Sequence, residues 1–267
     1  MTRLGQADES PSSSESSQLP GDLASKVLVA VCTLNEADNI VELLRAIRAA
    51  IPEADLLVVD DNSPDGTGDL VAQLGQHDRR VHLEVRRDQR GLGSAIRLAM
   101  SRALDGRYTF FLNLDGDFSH DPWQLASLLQ EMRASDDVDV VIGSRYVEGG
   151  AIEGWPFHRR LMSRMVNRFA TACLRLPVSD CSGSMRCYRV AALERLGIEN
   201  LRVDGYAVLE EILVSLAGQG SKMVEVPITF TDRQKGSSKL TLREALRSSY
   251  QMLKMAFRPQ RRAERQP

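Results

Sequence analysis

Short apolar runs alternate with amphipathic stretches through the first half of the chain. Val27-Leu-Val-Ala-Val-Cys-Thr-Leu34 is too short for a helix and reads as a strand buried on both faces. Ile40, Leu43, Leu44 and Ile47 then recur at helical spacing, with Asp38 as the expected cap and Pro52 as the stop. Asp55-Leu-Leu-Val-Val-Asp-Asp61 predicts a second strand, and Asn62-Ser-Pro-Asp-Gly66 a turn. A short helix over 67–75 and an alternating strand at Val81–Val85 follow. Gly91-Leu-Gly93 opens a helix running from Ser94 to Leu104. The run from Tyr108 to Leu114 is a strand that ends at Asp115, and Pro122 suits the first position of the next helix. Asp139-Val-Val-Ile-Gly143 is one more strand. This alternation predicts an α/β fold with a mostly parallel central sheet flanked by helices.

From Ser144 on, strands become scarce and basic amphipathic helices appear. Leu161, Met165, Phe169, Cys173 and Leu176 form one apolar stripe, with Arg164, Arg168 and Arg175 among them. Leu242, Leu246, Tyr250, Leu253 and Phe257 form another, followed by Arg258, Arg261, Arg262 and Arg265. Two readings fit each stripe: ordinary core packing, or an in-plane contact with a membrane whose anionic headgroups meet the arginines.

Composition narrows the picture. The chain has 267 residues and a net charge of −2, which gives no general attraction to nucleic acid. Residues 1–23 are rich in Ser, Glu and Pro and are expected to be disordered. They lack the apolar centre of a signal peptide. No apolar stretch approaches the ~18 residues of a membrane span. The four cysteines show no CxxC spacing, so they are read as reduced, in a cytoplasmic protein. The expected organisation is a disordered segment over 1–23, a catalytic domain over 24–240, and an amphipathic helix with a basic tail over 241–267.

The candidate chemistry starts at Asp115-Gly116-Asp117. Two carboxylates one residue apart, where a strand leaves a sheet edge, can reach one hard divalent cation such as Mg²⁺ or Mn²⁺. Such a cation is usually completed by phosphates and water, and open α/β sheets bind ligands at this edge. Thr33-Leu34-Asn35-Glu36 and Asp60-Asp61 end neighbouring strands, and Gly143-Ser-Arg145 delivers a guanidinium suited to phosphate. Arg233-Gln-Lys-Gly-Ser-Ser-Lys239 is a polar loop with three cations that could close over a diphosphate.

These segments, in this order and spacing, resemble the family 2 glycosyltransferases of GT-A fold, and more narrowly the dolichyl-phosphate (polyprenyl-phosphate) mannose synthases. The resemblance runs from about Val27 to about Phe257 and includes Val58–Gly66, Gly91-Leu-Gly93-Ser-Ala95, Asp115-Gly-Asp-Phe-Ser-His120, Asp180-Cys-Ser-Gly-Ser-Met-Arg186, Glu225-Val-Pro-Ile228 and Asp232–Leu240. It implies an inverting, metal-dependent transfer of mannose from GDP-mannose to a dolichyl or polyprenyl phosphate. Glu36 and Asp60 would hold the guanosine, with Thr33, Leu34, Asn35, Asp61 and Gly93 around the nucleotide. Asp115 and Asp117 would bind the metal, with Gly116 between them and Ser119 beside them, where some relatives carry Gln. Arg233 and Lys239 would clamp the diphosphate, while Arg145, Arg159 and Ser163 would hold the acceptor phosphate. The catalytic burden falls on Asp117, Arg145 and Arg233. Because the chain stops after one amphipathic helix, it resembles synthases that reach the cytoplasmic face of a membrane through surface helices or a membrane-anchoring partner.

Other readings share single features. A polyprenyl-phosphate glucose synthase using UDP-glucose has the same frame, but Asp232-Arg-X-X-Gly-X-Ser-Lys-Leu240 favours mannose. A dehalogenase-like phosphatase places its paired Asp after the first strand, not the fourth. A dinucleotide oxidoreductase needs a third Gly where Ile96 stands. A non-catalytic sugar-nucleotide binding module would not need the metal pair or the basic acceptor residues.

Overall fold

The computed structural model describes residues 26–233, 250–252 and 254–255. The expected disorder of 1–23, the boundary at 240, Lys239, the second stripe except Tyr250, and the arginine tail lie outside the described residues. Strands β1 (Val27–Thr33), β2 (Asp55–Asp60), β3 (Val81–Val85), β4 (Phe110–Asp115) and β5 (Val140–Ser144) alternate with helices α1 (Ile40–Ala50), α2 (Thr67–His77), α3 (Leu92–Asp105) and α4 (Gln124–Ala134). The second half contributes β6 (Ala151–Glu153), α5 (Phe157–Leu174), β7 (Arg186–Arg189), α6 (Val190–Leu196), α7 (Val208–Gly218), β8 (Met223–Pro227) and β9 (Thr229–Thr231).

Seven strands form one sheet in the order β3-β2-β1-β4-β7-β5-β8, and β6 pairs with β9 in a small parallel sheet. Every neighbour in the large sheet is parallel except β7, which runs antiparallel to both β4 and β5. Apolar side chains alternate across β1. Val27, Val29 and Val31 join Ile40, Leu43, Leu44 and Ile47 of α1 and Leu125 and Leu128 of α4 in one core layer. Leu28 and Ala30 join Ala95 and Ala99 of α3 and Ile212 of α7 in the other. Both faces are therefore covered, as the unbroken apolar run of β1 demands.

Three sequence expectations need correction. The second half is not poor in strands, because β7 lies inside the sheet although it reads Arg-Cys-Tyr-Arg. Its arginines are accommodated by carbonyls. Buried Arg186 donates to Cys181 O, Gly183 O and Leu209 O, and Arg189 donates to Val138 O and Ser135 O. The cap of α1 is Asn39, not Asp38, because the Glu36 carbonyl takes the N–H groups of Asn39 and Ile40 and closes a turn first. Helix α4 starts at Gln124, after a turn in which the Asp121 carboxylate accepts the Trp123 N–H.

The first apolar stripe is not core at Leu161, Met165 and Phe169. Only Asn167, Ala170, Thr171 and Leu174 of α5 are buried. Phe157, Met165 and Phe169 are 72%, 62% and 64% exposed, and Leu161, Met162 and Val166 are exposed beside them. Leu176 is buried beyond the helix end, and Cys173 is half-buried. No described helix is long and apolar enough to cross a membrane.

Candidate active site

The order of the sheet explains why distant segments meet. Strands β2 and β4 flank β1, so Thr33 lies beside Asp60, and Cys32 beside Asp115, at the carboxyl edge. Here the chain leaves β1 in both directions along the sheet, the switch point where open α/β sheets bind ligands. Two Asn residues make the exits sharp. Asn35 and Asn62 take left-handed φ values of 56° and 54°, which Asn tolerates better than most residues. Phe118 does the same at 59°, less comfortably, and the Asp117 carboxylate steadies that turn by accepting the Ser119 N–H at 3.0 Å.

A cavity of about 410 Å³ opens at this edge. Of the predicted residues, Thr33, Leu34, Glu36, Asp61, Asp115, Gly116, Asp117 and Arg233 line it. Gly116 is tightly enclosed, since a Cβ there would stand 3.3 Å from side-chain carbons of Glu36 and Thr33. Asn35, Asp60 and Gly93 do not line it: Asn35 is exposed at the turn after β1, its N–H donating to Ser63 Oγ at 2.9 Å, while Asp60 and Gly93 stand behind the wall. Asp60 is buried and accepts from Thr33 Oγ1 (2.8 Å), Ser63 N (2.8 Å) and Ser63 Oγ (2.5 Å), so it braces the turn after β2. Asp61 is held by Arg86 and by the Gly91 N–H at 2.8 Å. Gly93 is where segment 203–204 crosses α3, and its N–H donates to Asp204 O. Sequence reasoning missed Arg90, Asp204, Gly205, Tyr206 and Gln251, which also line the cavity. Only the dipeptide Gly205-Tyr206, just before α7, hinted at a backbone approaching a ligand.

Five carboxylates (Glu36, Asp61, Asp115, Asp117, Asp204) and two guanidiniums (Arg90, Arg233) line the cavity. Arg86 neutralises Asp61 and Arg97 neutralises Asp204, so Glu36, Asp115 and Asp117 face Arg90 and Arg233 and the wall keeps a net negative charge that a cation would offset. The donor set fits a hard divalent ion. Asp115 and Asp117 line the cavity, whereas Ser119 does not; it lies buried beside Asp117, with its Oγ lacking a hydrogen-bond partner. Among the described residues no three His, Cys, Asp or Glu side chains converge on one point. Phosphate and water would therefore have to complete the coordination, as they do at many Mg²⁺ sites. Arg233 Nη2 lies 2.9 Å from Asp117 Oδ2. Strand β9 brings it there, because Phe230 bridges to His120 and the Thr231 N–H donates to Ser119 O. Cys32 also lines the cavity, and burial pushes its thiol up to about 12, so it is a neutral wall group.

The predicted acceptor residues lie one ring away. His120 Nδ1 is 3.8 Å from Asp115 Oδ2, and burial holds its imidazole below the usual range. Its ring meets Phe230 edge-on at 5.3 Å, and Phe230 lies 5.6 Å beneath the Arg145 guanidinium. Arg145 forms a two-pronged ion pair with buried Asp180. Arg159 stacks 3.9 Å over Trp155 and reaches Asp232 at 3.3 Å, while Ser163 Oγ bonds the Tyr146 hydroxyl at 2.7 Å. Arg145, Tyr146 and Ser163 thus form one group, and Arg159 joins it through Trp155 and Phe230, whose rings lie 5.4 Å apart. The arrangement offers a nucleotide-sized cavity with Asp115 in its wall and, beyond His120 and Phe230, an aromatic-lined group of two arginines, each paired with a carboxylate.

Residues 28–197 match the family model described as glycosyl transferase family 2. The polyprenol monophosphomannose synthase of Mycolicibacterium smegmatis is 36% identical over 225 residues, 83% of this chain and 84% of the relative. The undecaprenyl-phosphate mannosyltransferase of Micrococcus luteus is 36% identical over 216 residues, 81% of this chain and 88% of the relative. Among solved structures, glucosyl-3-phosphoglycerate synthase from Mycobacterium tuberculosis, in complex with Mn²⁺, UDP and phosphoglyceric acid, superposes with a TM-score of 0.64 at 17% identity, covering 88% of this chain and 80% of that one. It shares the GT-A-like fold, with a mostly parallel sheet between helices. On the family match and the two close relatives, the chain belongs to glycosyl transferase family 2.

Proposed function

We propose that this protein transfers mannose from GDP-mannose to a polyprenyl phosphate, with inversion, as a divalent-metal-dependent glycosyltransferase. The observation that carries the reading is the 36% identity, across more than four-fifths of the chain, to two relatives named for mannosyl transfer to a polyprenol or undecaprenyl carrier. The arginine pair Arg145 and Arg159, beyond His120 and Phe230, supports it, because a phosphate acceptor needs guanidinium donors.

An acceptor phosphate monoester is largely ionised at neutral pH, so it is already a nucleophile and needs no general base. The protein's work is orientation and charge compensation. Arg145, Arg159 and Ser163 bind and aim the acceptor oxygen at the anomeric carbon, opposite the leaving diphosphate. Asp115 and Asp117, with Ser119, would hold Mg²⁺ or Mn²⁺, which when bound supplies Lewis-acid stabilisation of that diphosphate. Arg233 adds a guanidinium where charge develops on the leaving group. Single displacement turns an α-linked donor into a β-mannosyl phosphate lipid. The exposed apolar face of α5, flanked by Arg160, Arg164 and Arg168, rests on the anionic membrane that carries the acceptor. This places Arg159 and Ser163, on the same helix, where a lipid headgroup arrives.

The test is transfer of labelled sugar from GDP-mannose or UDP-glucose to farnesyl phosphate, with Mg²⁺, with Mn²⁺ and with EDTA. Metal-dependent mannosyl lipid from GDP-mannose, lost in Asp117→Ala, is the expected result. Product from UDP-glucose alone moves the assignment to a glucose synthase. Normal turnover by Asp117→Ala sinks the site.

A further inference from the structure

Arg145 does not stand alone. Its side chain is 8% exposed and is gripped along one edge. Nε donates to Asp180 Oδ2 at 2.7 Å, Nη2 donates to Asp180 Oδ1 at 2.8 Å and to Ser182 Oγ at 2.8 Å, and the Arg145 backbone N–H donates to Asp180 Oδ2 at 3.1 Å. A guanidinium has five N–H donors in a fixed fork. With Nε and Nη2 taken, Nη1 is the edge it can turn to a ligand, and no described residue accepts from it. Asp180 therefore decides which edge of Arg145 is presented, and in what plane.

Asp180 is in turn held from three sides. It is 0% exposed and sits in a loop between α5 and β7. From β8, Glu225 accepts the N–H groups of Ser179 at 2.7 Å and Asp180 at 2.9 Å. From α5, Asn167 accepts the Cys181 N–H at 3.1 Å and donates to Ser179 O. From β7, Arg186 donates to Cys181 O at 2.6 Å and Gly183 O at 2.9 Å. The loop is thus fixed both to the sheet and to the helix that carries Arg159 and Ser163. Tyr146 closes the circuit, with its ring 5.2 Å from the Arg145 guanidinium and its hydroxyl on Ser163.

From this geometry we infer that Asp180, Ser182 and Glu225 are positioning residues for the acceptor phosphate, which aim the free edge of Arg145 at the same point as Ser163. The inference rests on the proposed function, in which Arg145 meets the acceptor. None of the three lines the nucleotide-sized cavity, so their loss should separate acceptor from donor.

The experiment compares wild type with Ser182→Ala, Glu225→Gln and Asp180→Asn, measuring KM for farnesyl phosphate and for GDP-mannose, with melting temperature as the control for folding. Ser182→Ala removes one charge-assisted hydrogen bond and should raise acceptor KM about tenfold. Glu225→Gln weakens the hold on the loop and should raise it by about three- to tenfold. Asp180→Asn strips a buried guanidinium of its counter-charge and should cost about a hundredfold or more, or the fold itself. The Ser182 and Glu225 variants keep the test decisive if Asp180→Asn does not fold. Donor KM should stay within about twofold in every folded variant. Folded Ser182→Ala and Glu225→Gln enzymes with wild-type acceptor KM, or with both KM values raised alike, would overturn the inference. If wild type makes no product from GDP-mannose, the functional reading fails separately, and the inference is decided by binding of farnesyl phosphate against farnesol. Phosphate-dependent binding weakened by Ser182→Ala upholds it. Binding that is equal in the variant, or absent in wild type, overturns it.

Discussion

Replacing Gly93 by Ala tests how the wall of the cavity at the sheet edge is built. Gly93 is the second residue of α3, where Ala would ordinarily favour the helix by up to about 1 kcal/mol. Here a Cβ would stand 2.2 Å from Val203 O and 2.8 Å from the Cα and carbonyl carbon of Asp204, all of them backbone atoms. No rotamer can relieve that contact, so segment 203–204 must retreat by about 1 Å to reach ordinary van der Waals separation. The move strains the Gly93 N–H bond to Asp204 O, worth about 1 kcal/mol, and adds an overpacking cost of about 1–3 kcal/mol. The net expectation is a loss of about 1–3 kcal/mol, or roughly 2–10 °C in Tm for a domain of this size. The displaced segment continues into Asp204, Gly205 and Tyr206 of the cavity wall. A misplacement of about 1 Å there should weaken GDP binding by about tenfold or more. Differential scanning calorimetry and GDP titration with Mn²⁺ measure both quantities. Gly218→Ala is the control, because nothing lies within 4 Å of its Cβ position near the end of α7, so it should be neutral or slightly stabilising. A Gly93→Ala protein as stable as wild type, with unchanged GDP affinity, would refute this account of the wall.

Three further outcomes follow from the same geometry. Glu210 is buried with Oε2 unpartnered, and burial pushes its carboxyl up to about 7 while the Arg186 charge pulls it down. Its neutral form therefore supports the fold fully below the ordinary carboxylate value, and that support fades as pH rises through about 7, by at most about 3 kcal/mol. Glu210→Gln should raise Tm at pH 8.5 and do little at pH 5, and equal shifts at both pH values would contradict the sign. Arg233→Ala removes the cation beside Asp117 and should tighten Mn²⁺ binding measured by calorimetry without nucleotide, while weakening GDP binding in its presence. Unchanged Mn²⁺ affinity would mean that the ion pair does not compete with the metal. Serine at both Met165 and Phe169 should abolish co-sedimentation with anionic vesicles and leave Tm within about 2 °C, because neither side chain is buried. Loss of stability instead would return α5 to the core.

Much of the architecture was legible along the chain. The apolar runs of β1, β2, β4 and β5, and the helical spacing of Ile40, Leu43, Leu44 and Ile47, are local signals of burial, and the burial they require is the burial found. The Asp115-Gly-Asp117 pair at a strand end was legible for the same reason, since its chemistry depends on neighbours one residue apart. Strand β7 was not, because arginines mark a surface unless carbonyls accept their N–H groups, and of those carbonyls Leu209 O, Val138 O and Ser135 O lie far along the chain. Periodicity found the stripe on α5 but could not tell an exposed face from a core-facing one, because apolar spacing is identical in both. Asp60 and Asp61 look alike in sequence. Only the fold turned the first toward Thr33 and Ser63 and gave the second to Arg86 at the cavity wall. Sequence thus determined what depends on adjacent residues: the strands, the helices and the acidic pair. The tertiary structure decided which charges are spent on one another and which face a ligand, because each such choice is made by a partner far away along the chain.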